Sequence, residues 1–400
     1  STPHTVELMP AEASGCRNYQ GPAWYRKHFV LPAETKGKRV LIHFEAAMGK
    51  QVLYLNGKRI QEHVGGYLPF TLDLTTNGIQ AGDSCLLAIF VDNSNDKSFP
   101  PGKPQYTLDF AYHGGIYRDV WMIAKSPVSI TDPLDSQTVA GGGVFVHFDK
   151  ISEKSAQVYV NTELQNDNQH TETVTVETTL TDADGKVIKR TSGKLSLKSG
   201  EKKIIRQQIE VKSPKLWSPD APYLYKVQSR IKKGNQSIDG GITRIGIRLA
   251  ELRGKDGFWL NGKPFVQLVG ANRHQDFAYV GNALPNSQQW RDAKRLRDAG
   301  CTIIRVAHYP QDPSFMDACD ELGMFVIVAT PGWQYWNKDV KFGELVHQNT
   351  REMIRRDRNH PSVLMWEPIL NETRYPLDFA LKALEITKEE FPYPGRPVAA

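Results

Sequence analysis

Four short stretches in the C-terminal part of the chain concentrate side chains that can do chemistry. They are Asn272-Arg273-His274-Gln275-Asp276, Arg305 with His308-Tyr309-Pro310, Pro331-Gly332-Trp333-Gln334-Tyr335-Trp336, and Asn371-Glu372. Together they offer carboxylate, imidazole, guanidinium and aromatic rings. Carboxyl and imidazole groups move protons, a guanidinium holds an anion, and flat rings cover the apolar face of a ligand. The set suits a polar, polyhydroxylated ligand that also has apolar faces, which describes a sugar. Each stretch also has a plainer reading. Asn371-Glu372 fits a solvated loop, Arg305 a structural ion-pair partner, His308 a satisfied core histidine, and Trp333, Tyr335 and Trp336 loop packing. All four fall at the ends of successive predicted strands, and this favours a site.

Those strands are predicted at 265–269, 302–307, 324–329 and 363–366. Helices alternate with them. One fits 287–299, with Trp290, Ala293 and Leu296 on one face and Gly300 as its stop. Asp312-Pro313 opens the next, an N-cap followed by proline at the first helical position, and Gly323 ends it. Its stripe is Phe315, Met316, Cys319 and Leu322. Further helices fit 342–358 and 379–390, and Pro397-Val398-Ala399-Ala400 opens a fifth strand. Repeated βα units with buried strands predict a parallel sheet. No glycine-rich phosphate loop follows any strand, which disfavours a dinucleotide fold. Residues 249–400 therefore read as the N-terminal half of a (β/α)8 TIM barrel, whose working residues stand at the C-terminal strand ends.

Upstream the texture is all-β. In residues 1–126, Val40, Ile42 and Phe44 alternate, Val52 and Tyr54 follow, and Asn56-Gly57 supplies a hairpin turn. Strands at 84–92 and 118–124 complete the reading as a jelly-roll sandwich. Residues 127–248 carry short alternating runs at 144–148, 157–164, 173–180, 203–211 and 223–231. Turns such as Asp184-Gly185 and Ser199-Gly200 separate them. That spacing predicts an immunoglobulin-like β-sandwich, here without cysteine.

Composition narrows the classes. The 400 residues at 40% hydrophobic and 24% charged allow several packed cores and exclude disorder and coiled coil. Lys and Arg exceed Asp and Glu by 50 − 44 = 6, a surplus spread along the chain, so no nucleic-acid partner is expected. No apolar run reaches the ~18 residues of a membrane helix, and no membrane partner is expected. The opening Ser1-Thr2-Pro3-His4 has neither the charged nor the apolar stretch of a leader. Cys16, Cys85, Cys301 and Cys319 are too sparse for a disulfide framework, lack metal spacing, and read as small buried hydrophobes.

Longer motifs carry a resemblance. Arg305-Val306-Ala307-His308-Tyr309-Pro310 with Asp320-Glu321-Leu322-Gly323 is similar to the first signature of glycoside hydrolase family two, the β-galactosidases, β-glucuronidases and β-mannosidases. Asp357-Arg358-Asn359-His360-Pro361-Ser362 through Trp366 to Asn371-Glu372 resembles its acid/base signature. Asp109-Phe110 before Gly114-Gly115-Ile116-Tyr117-Arg118-Asp119-Val120 resembles the end of its sugar-binding domain. Leu216-Trp217-Ser218-Pro219 with Pro222-Tyr223-Leu224-Tyr225 resembles its immunoglobulin-like domain.

The resemblance implies a retaining exo-β-glycosidase acting on an oligosaccharide or glycoside, with β-galactosidase as the first choice and β-glucuronidase as the second. It implies Glu372 as general acid/base and Asn371 as a hydrogen-bonding partner of the sugar 2-hydroxyl. His308 would line the sugar pocket, Arg305 would orient the nucleophilic carboxylate, and Asp109 would reach across from the first domain. His274 and Trp333 complete the expected sugar-binding set. A retaining enzyme needs two carboxyl groups about 5–5.5 Å apart. The family takes its nucleophile from the seventh barrel strand, which this segment does not contain. An open half barrel exposes an edge and its interior. The segment therefore either belongs to a longer polypeptide, the favoured reading, or is a non-catalytic carbohydrate-binding protein with a vestigial barrel.

Three positions depart from the family pattern. Val306 stands where a small residue is usual, and Glu367 where Gly or Ser is usual, as an ion-pair partner or a subsite residue. Ala329-Thr330 stands where many members carry Asp-Glu. The magnesium-dependent β-galactosidases use an acidic residue and a histidine beyond that strand, so no such metal site and no cofactor are expected. A homo-oligomer is compatible with the sequence. Asn371-Glu372-Thr373 is a glycosylation sequon, and a glycan there would block the acid/base. That disfavours a eukaryotic secretory origin, and a bacterial periplasmic or secreted location is expected.

Overall fold

The computed structural model describes residues 2–8, 18–108, 110–265 and 267–399. Asp109 and Cys16 lie outside the described residues, so the roles expected of them have no structural description. The other three cysteines are free, with Cys85 and Cys319 buried.

Alternation builds the first domain. Val40, Ile42 and Phe44 face inward on the strand Arg39–Phe44, each at most 5% exposed. This strand pairs antiparallel with Phe70–Asp73 and Val120–Lys125. The opposing sheet runs in the order Pro22–Val30, Ser84–Asp92, Gly49–Leu55, Lys58–Gly65. Asn56 and Gly57 both take positive φ, as the tight hairpin between its last two strands requires. The inner faces meet in one core containing Leu53, Leu72, Ile89 and Val91.

The second domain packs two antiparallel sheets. One joins Lys202–Lys212, Ser155–Asn166, Val144–Asp149 and the short Val128–Ile130. The other joins Val187–Leu197, Glu172–Thr181, Tyr225–Lys233 and Gln236–Ile245. The sequence pattern does not show Val187–Leu197 or Gln236–Ile245. Both are edge strands of their sheet, largely exposed, so neither needs a continuous apolar face.

The third region is a parallel sheet of four strands, Gly270–Arg273, Ile303–Val306, Phe325–Ala329 and Val363–Glu367, in that order. Helices α1 (Asn286–Asp298), α2 (Pro313–Leu322), α3 (Val340–Asp357) and α4 (Leu377–Glu390) alternate with them. The Asp312 side chain caps α2 by accepting from the Ser314 N–H at 2.9 Å, and Gly323 ends it in the left-handed region. Trp366 accepts from Ala399 N–H and donates to Pro397 carbonyl, so the last described residues begin a fifth strand.

Two expectations need correction. The first barrel strand is Gly270–Arg273, not 265–269. Phe265 and Leu268 instead pack with Trp217, Leu260 and Phe325, so they are apolar without belonging to the parallel sheet. A Cβ at Gly270 would sit 1.9 Å from the Ile303 carbonyl oxygen, so the close approach of the two strands demands glycine there. Trp290 is 39% exposed rather than packed, and its indole N–H donates to Glu321 at 3.0 Å.

The first domain docks on the barrel through Arg118, a fully buried side chain. Its guanidinium donates to the carbonyls of Tyr67 (3.0 Å) and Pro310 (2.9 Å) and to Gln275 Oε1 (2.9 Å), and its Nε lies 3.7 Å from the Asp312 carboxylate. Removing a buried charge leaves its partners uncompensated. Arg118→Met is therefore expected to cost about 3–5 kcal/mol of stability in urea unfolding. A loss under about 1 kcal/mol, the size of an exposed pair, would mean that this contact does not hold the domains together.

Candidate active site

Strand alternation sorts the second barrel strand. Ile304 and Val306 are fully buried in the layer shared with Phe315, Met316 and Met353, which accounts for the large Val306. Arg305 faces the other way. Its Nε lies 2.8 and 3.1 Å from the two Glu367 oxygens, and its Nη2 lies 2.6 Å from one of them. The same Nη2 donates to Asn371 Oδ1 at 2.8 Å. Glu367 is 6% exposed, and this two-pronged contact compensates its buried charge. Glu367 is thus the ion-pair partner of Arg305, and the pair positions Asn371 next to Glu372.

Glu372 is exposed and takes φ +59°, a left-handed conformation that costs a non-glycine residue about 1 kcal/mol or more. Gln334, on the loop after the third strand, takes φ +54°. The two loops fasten each other. Gln334 N–H donates to Thr373 Oγ1 at 2.8 Å, and the Gln334 amide nitrogen donates to Glu372 Oε2.

Beside them lies a wall of rings. His308 stacks on Trp333 with centroids 4.7 Å apart and planes 8° apart. His274 stacks on Phe110 of the first domain at 4.6 Å and shares a hydrogen bond of 3.2 Å with the Tyr309 hydroxyl. Tyr309 in turn stacks on Tyr67 at 4.0 Å. His308 Nδ1 and Trp333 Nε1 are buried without a hydrogen-bond partner among the described residues. Both atoms are thus free to bond a hydroxyl group placed against the stack.

The first domain closes this mouth. Leu108 and Phe110, which flank Asp109, join Tyr309 and Trp333 in one apolar cluster. Tyr335 and Asn337 donate to the Lys97 carbonyl at 3.3 and 2.7 Å. Lys103 donates to Gln334 Oε1, and its ammonium lies 4.4 Å over the Trp333 ring. A Cβ at Gly102 would lie 2.5 Å from the Tyr335 ring, so the two loops meet there only because that residue is glycine. The structure thus brings together His308, Trp333, His274, Arg305, Asn371 and Glu372. Lys103 and Gln334 carried no expected role. Gln334 stood unweighted between aromatic neighbours, and nothing near Lys103 in sequence points to the barrel.

A magnesium ion of the kind used by some β-galactosidases does not fit these residues. Ala329 and Thr330 are buried and offer no carboxylate, and Thr330 Oγ1 donates to the Pro368 carbonyl at 3.1 Å. The group facing Glu372 is an amide nitrogen, a donor where a cation would need an acceptor. Asp317, Asp320 and His360 also cluster. There Asp317 pairs with Arg244 at 2.5 Å, and Asp320 accepts from His360 at 2.6 Å and Ser362 N–H at 3.0 Å. These are structural contacts.

Family models match nearly all of this architecture in order. The family 2 sugar binding domain covers residues 5–127, the glycosyl hydrolases family 2 model residues 142–248, and the family 2 TIM barrel domain residues 251–398. The chain belongs to glycosyl hydrolase family 2. It is similar to a β-galactosidase of Thermoanaerobacter pseudethanolicus, 36% identical over 96% of this chain and 49% of that protein. It is also similar to a β-glucuronidase of Formosa agariphila, 33% identical over 92% of this chain and 38% of that one. Among solved structures, Bacteroides uniformis β-glucuronidase 2, covalently bound to cyclophellitol-6-carboxylate aziridine, superposes with a TM-score of 0.87. It is 29% identical over 99% of this chain and 48% of its own. A β-glycosidase from Bacteroides vulgatus gives a TM-score of 0.82 at 27% identity, over 100% of this chain and 49% of its own. The chain spans about half the length of these family 2 relatives, or less.

Within this family 2 site, burial pulls the His308 imidazole down to about 3, with Arg305, His274 and Lys103 adding in the same direction. An unfolded chain protonates histidine near pH ~6.5. The stability His308 confers is therefore complete above that pH and is lost as pH falls from there toward 3. Replacing it removes one proton of difference between the two states. In His308→Asn, the slope of unfolding free energy against pH between 6 and 4 is expected to become shallower by up to ~1.4 kcal/mol per pH unit. Urea titrations at stepped pH measure it, and an unchanged slope would show that His308 protonates equally in both states.

Proposed function

We propose that this chain forms the first part of a retaining exo-β-glycosidase, with Glu372 as its general acid/base. The observation that carries the reading is the shared barrel mouth. Glu372 is held beside Asn371 and Arg305, while Gln334 links it to the Trp333–His308 stack, whose buried polar atoms lack partners among the described residues. In this mechanism Glu372 protonates the glycosidic oxygen as the bond to the anomeric carbon breaks. A second carboxylate attacks that carbon, and Glu372 then removes a proton from the water that releases the sugar. The second carboxylate comes from strands beyond the fourth, in a polypeptide that carries the whole barrel. Arg305, whose Nε and Nη2 are engaged by Glu367 and Asn371, presents the remainder of its guanidinium toward that carboxylate. Asn371, His308, His274, Trp333 and Asp109 bind the sugar.

β-Galactosides are the first-choice substrates, supported by the similarity to the Thermoanaerobacter β-galactosidase. β-Glucuronides are the second reading, supported by the Formosa β-glucuronidase and the inhibitor-bound Bacteroides uniformis enzyme. Covalent capture in that relative supports a covalent intermediate here. A panel of nitrophenyl glycosides separates the two, and no turnover of any would favour a carbohydrate-binding protein. A bacterial periplasmic or secreted location is part of the proposal.

Glu372→Gln in the complete-barrel polypeptide is expected to slow poor leaving groups by roughly 10²–10⁴-fold while sparing activated aryl glycosides, because a good leaving group scarcely needs a proton. Equal losses on both classes argue against the acid role. A polypeptide ending at Ala400 is expected to turn over none of them, and turnover by it, abolished in Glu372→Gln, would place the nucleophile within these residues.

A further inference from the structure

A side chain of the first domain, Lys103, is linked to the carboxyl of Glu372 through Gln334. Lys103 and Gln334 are 231 residues apart and hydrogen-bonded. A lysine ammonium can only donate, so the amide oxygen of Gln334 must face Lys103. The amide nitrogen is then left to face Glu372, where it donates to Oε2. The direction of the whole chain, Lys103 to Gln334 to Glu372, thus follows from the chemistry of one end. Both backbone positions it joins, Gln334 and Glu372, lie in the left-handed region, and Gln334 N–H on Thr373 Oγ1 locks them together. Lys103 is placed as firmly. Its carbonyl accepts from the Tyr112 hydroxyl at 3.0 Å, its N–H donates to the Pro101 carbonyl at 2.9 Å, and its ammonium sits over Trp333.

We propose that Lys103 and Gln334 are positioning residues for proton transfer, resting on the reading of Glu372 as the general acid. Gln334 holds Oε2, and this leaves Oε1 to carry the proton toward the leaving oxygen. As the proton moves to that oxygen, the electron pair of the breaking carbon–oxygen bond goes with the leaving group and Glu372 becomes a carboxylate. A hydrogen bond to a carboxylate is stronger than one to a neutral acid, so the Gln334 contact gains strength as the reaction proceeds. Lys103 fixes the amide and places a positive charge behind it. A donor and a fixed ammonium thus occupy a place where Ala329 and Thr330 offer no carboxylate.

The test compares Gln334→Ala, Lys103→Met, their double variant and Lys103→Arg in the complete-barrel polypeptide, on an alkyl glycoside and a dinitrophenyl glycoside. Gln334→Ala and Lys103→Met are expected to lose about tenfold in kcat/KM on the alkyl glycoside and less than about twofold on the dinitrophenyl one. The double variant is expected to lose no more than Gln334→Ala, because the two act as one chain. Lys103→Arg, which can still donate, is expected to recover most of the rate. Chelation of divalent ions is expected to leave the parent rate unchanged. Equal losses on both substrates, additive losses, or a parent rate that falls on chelation and returns with magnesium each overturn the proposal. Glu372→Gln runs beside them. If it shows no leaving-group dependence, the acid assignment fails; if it does and the Gln334 and Lys103 variants do not, only the positioning role fails.

Discussion

Arg118 is a buried cation that no single segment of the chain can satisfy. It draws its acceptors from Tyr67 in its own domain, from Gln275 and Pro310 after the first two barrel strands, and from Asp312, which also caps α2. An unpaired guanidinium at that depth is too costly to tolerate, so the first domain has one docked position on the barrel. The first domain's share of the mouth depends on this docking. The loop bearing Lys97, Gly102, Lys103 and Phe110 reaches the third-strand loop and His274 only from there.

The site is consequently a joint product of two domains. The barrel supplies Arg305, Glu367, Asn371 and Glu372 from successive strand ends, in an arrangement held by charge pairing. The sandwich supplies the lid side, with Phe110 against His274 and Lys103 against Trp333. The low proton affinity of His308 reflects this closure, because burial and the nearby cations Arg305 and Lys103 act together on the ring. His63 and His147, each pulled down to about 4 by burial, add to the same acid lability. Acidification is therefore expected to weaken the fold at several points, His308 at the barrel mouth among them.

Much of the architecture was legible because it rests on short-range rules. The Asn56-Gly57 hairpin, the Asp312-Pro313 helix start and the Gly323 stop each follow from local backbone preference, and all three stand where the sequence puts them. The strands Ser84–Asp92 and Phe325–Ala329 follow from periodicity and burial. The misreadings arise where burial and strand pairing part company. The run containing Phe265 and Leu268 looks like a buried strand because apolar side chains plug a barrel floor as readily as they build a sheet. Val187–Leu197, at a sheet edge, buries only Leu195 and Leu197 near its end, too little apolar alternation to mark a long strand.

The residue types of the site were readable for a related reason. Carboxylate, imidazole and guanidinium at consecutive strand ends are a pattern that one dimension can hold. Whether Glu367 pairs with Arg305, what faces the Glu372 carboxyl, and which orphaned atoms line the pocket could not be read that way. Each depends on side chains brought within about 3 Å from segments far apart in sequence. The sequence by itself determined the three-part order of the chain, three of its four described barrel strands and the residue types gathered at their ends. Only the tertiary structure decided what faces the Glu372 carboxyl, because Lys103 and Gln334 meet through domain docking, to which the buried Arg118 contributes, and not through any local pattern.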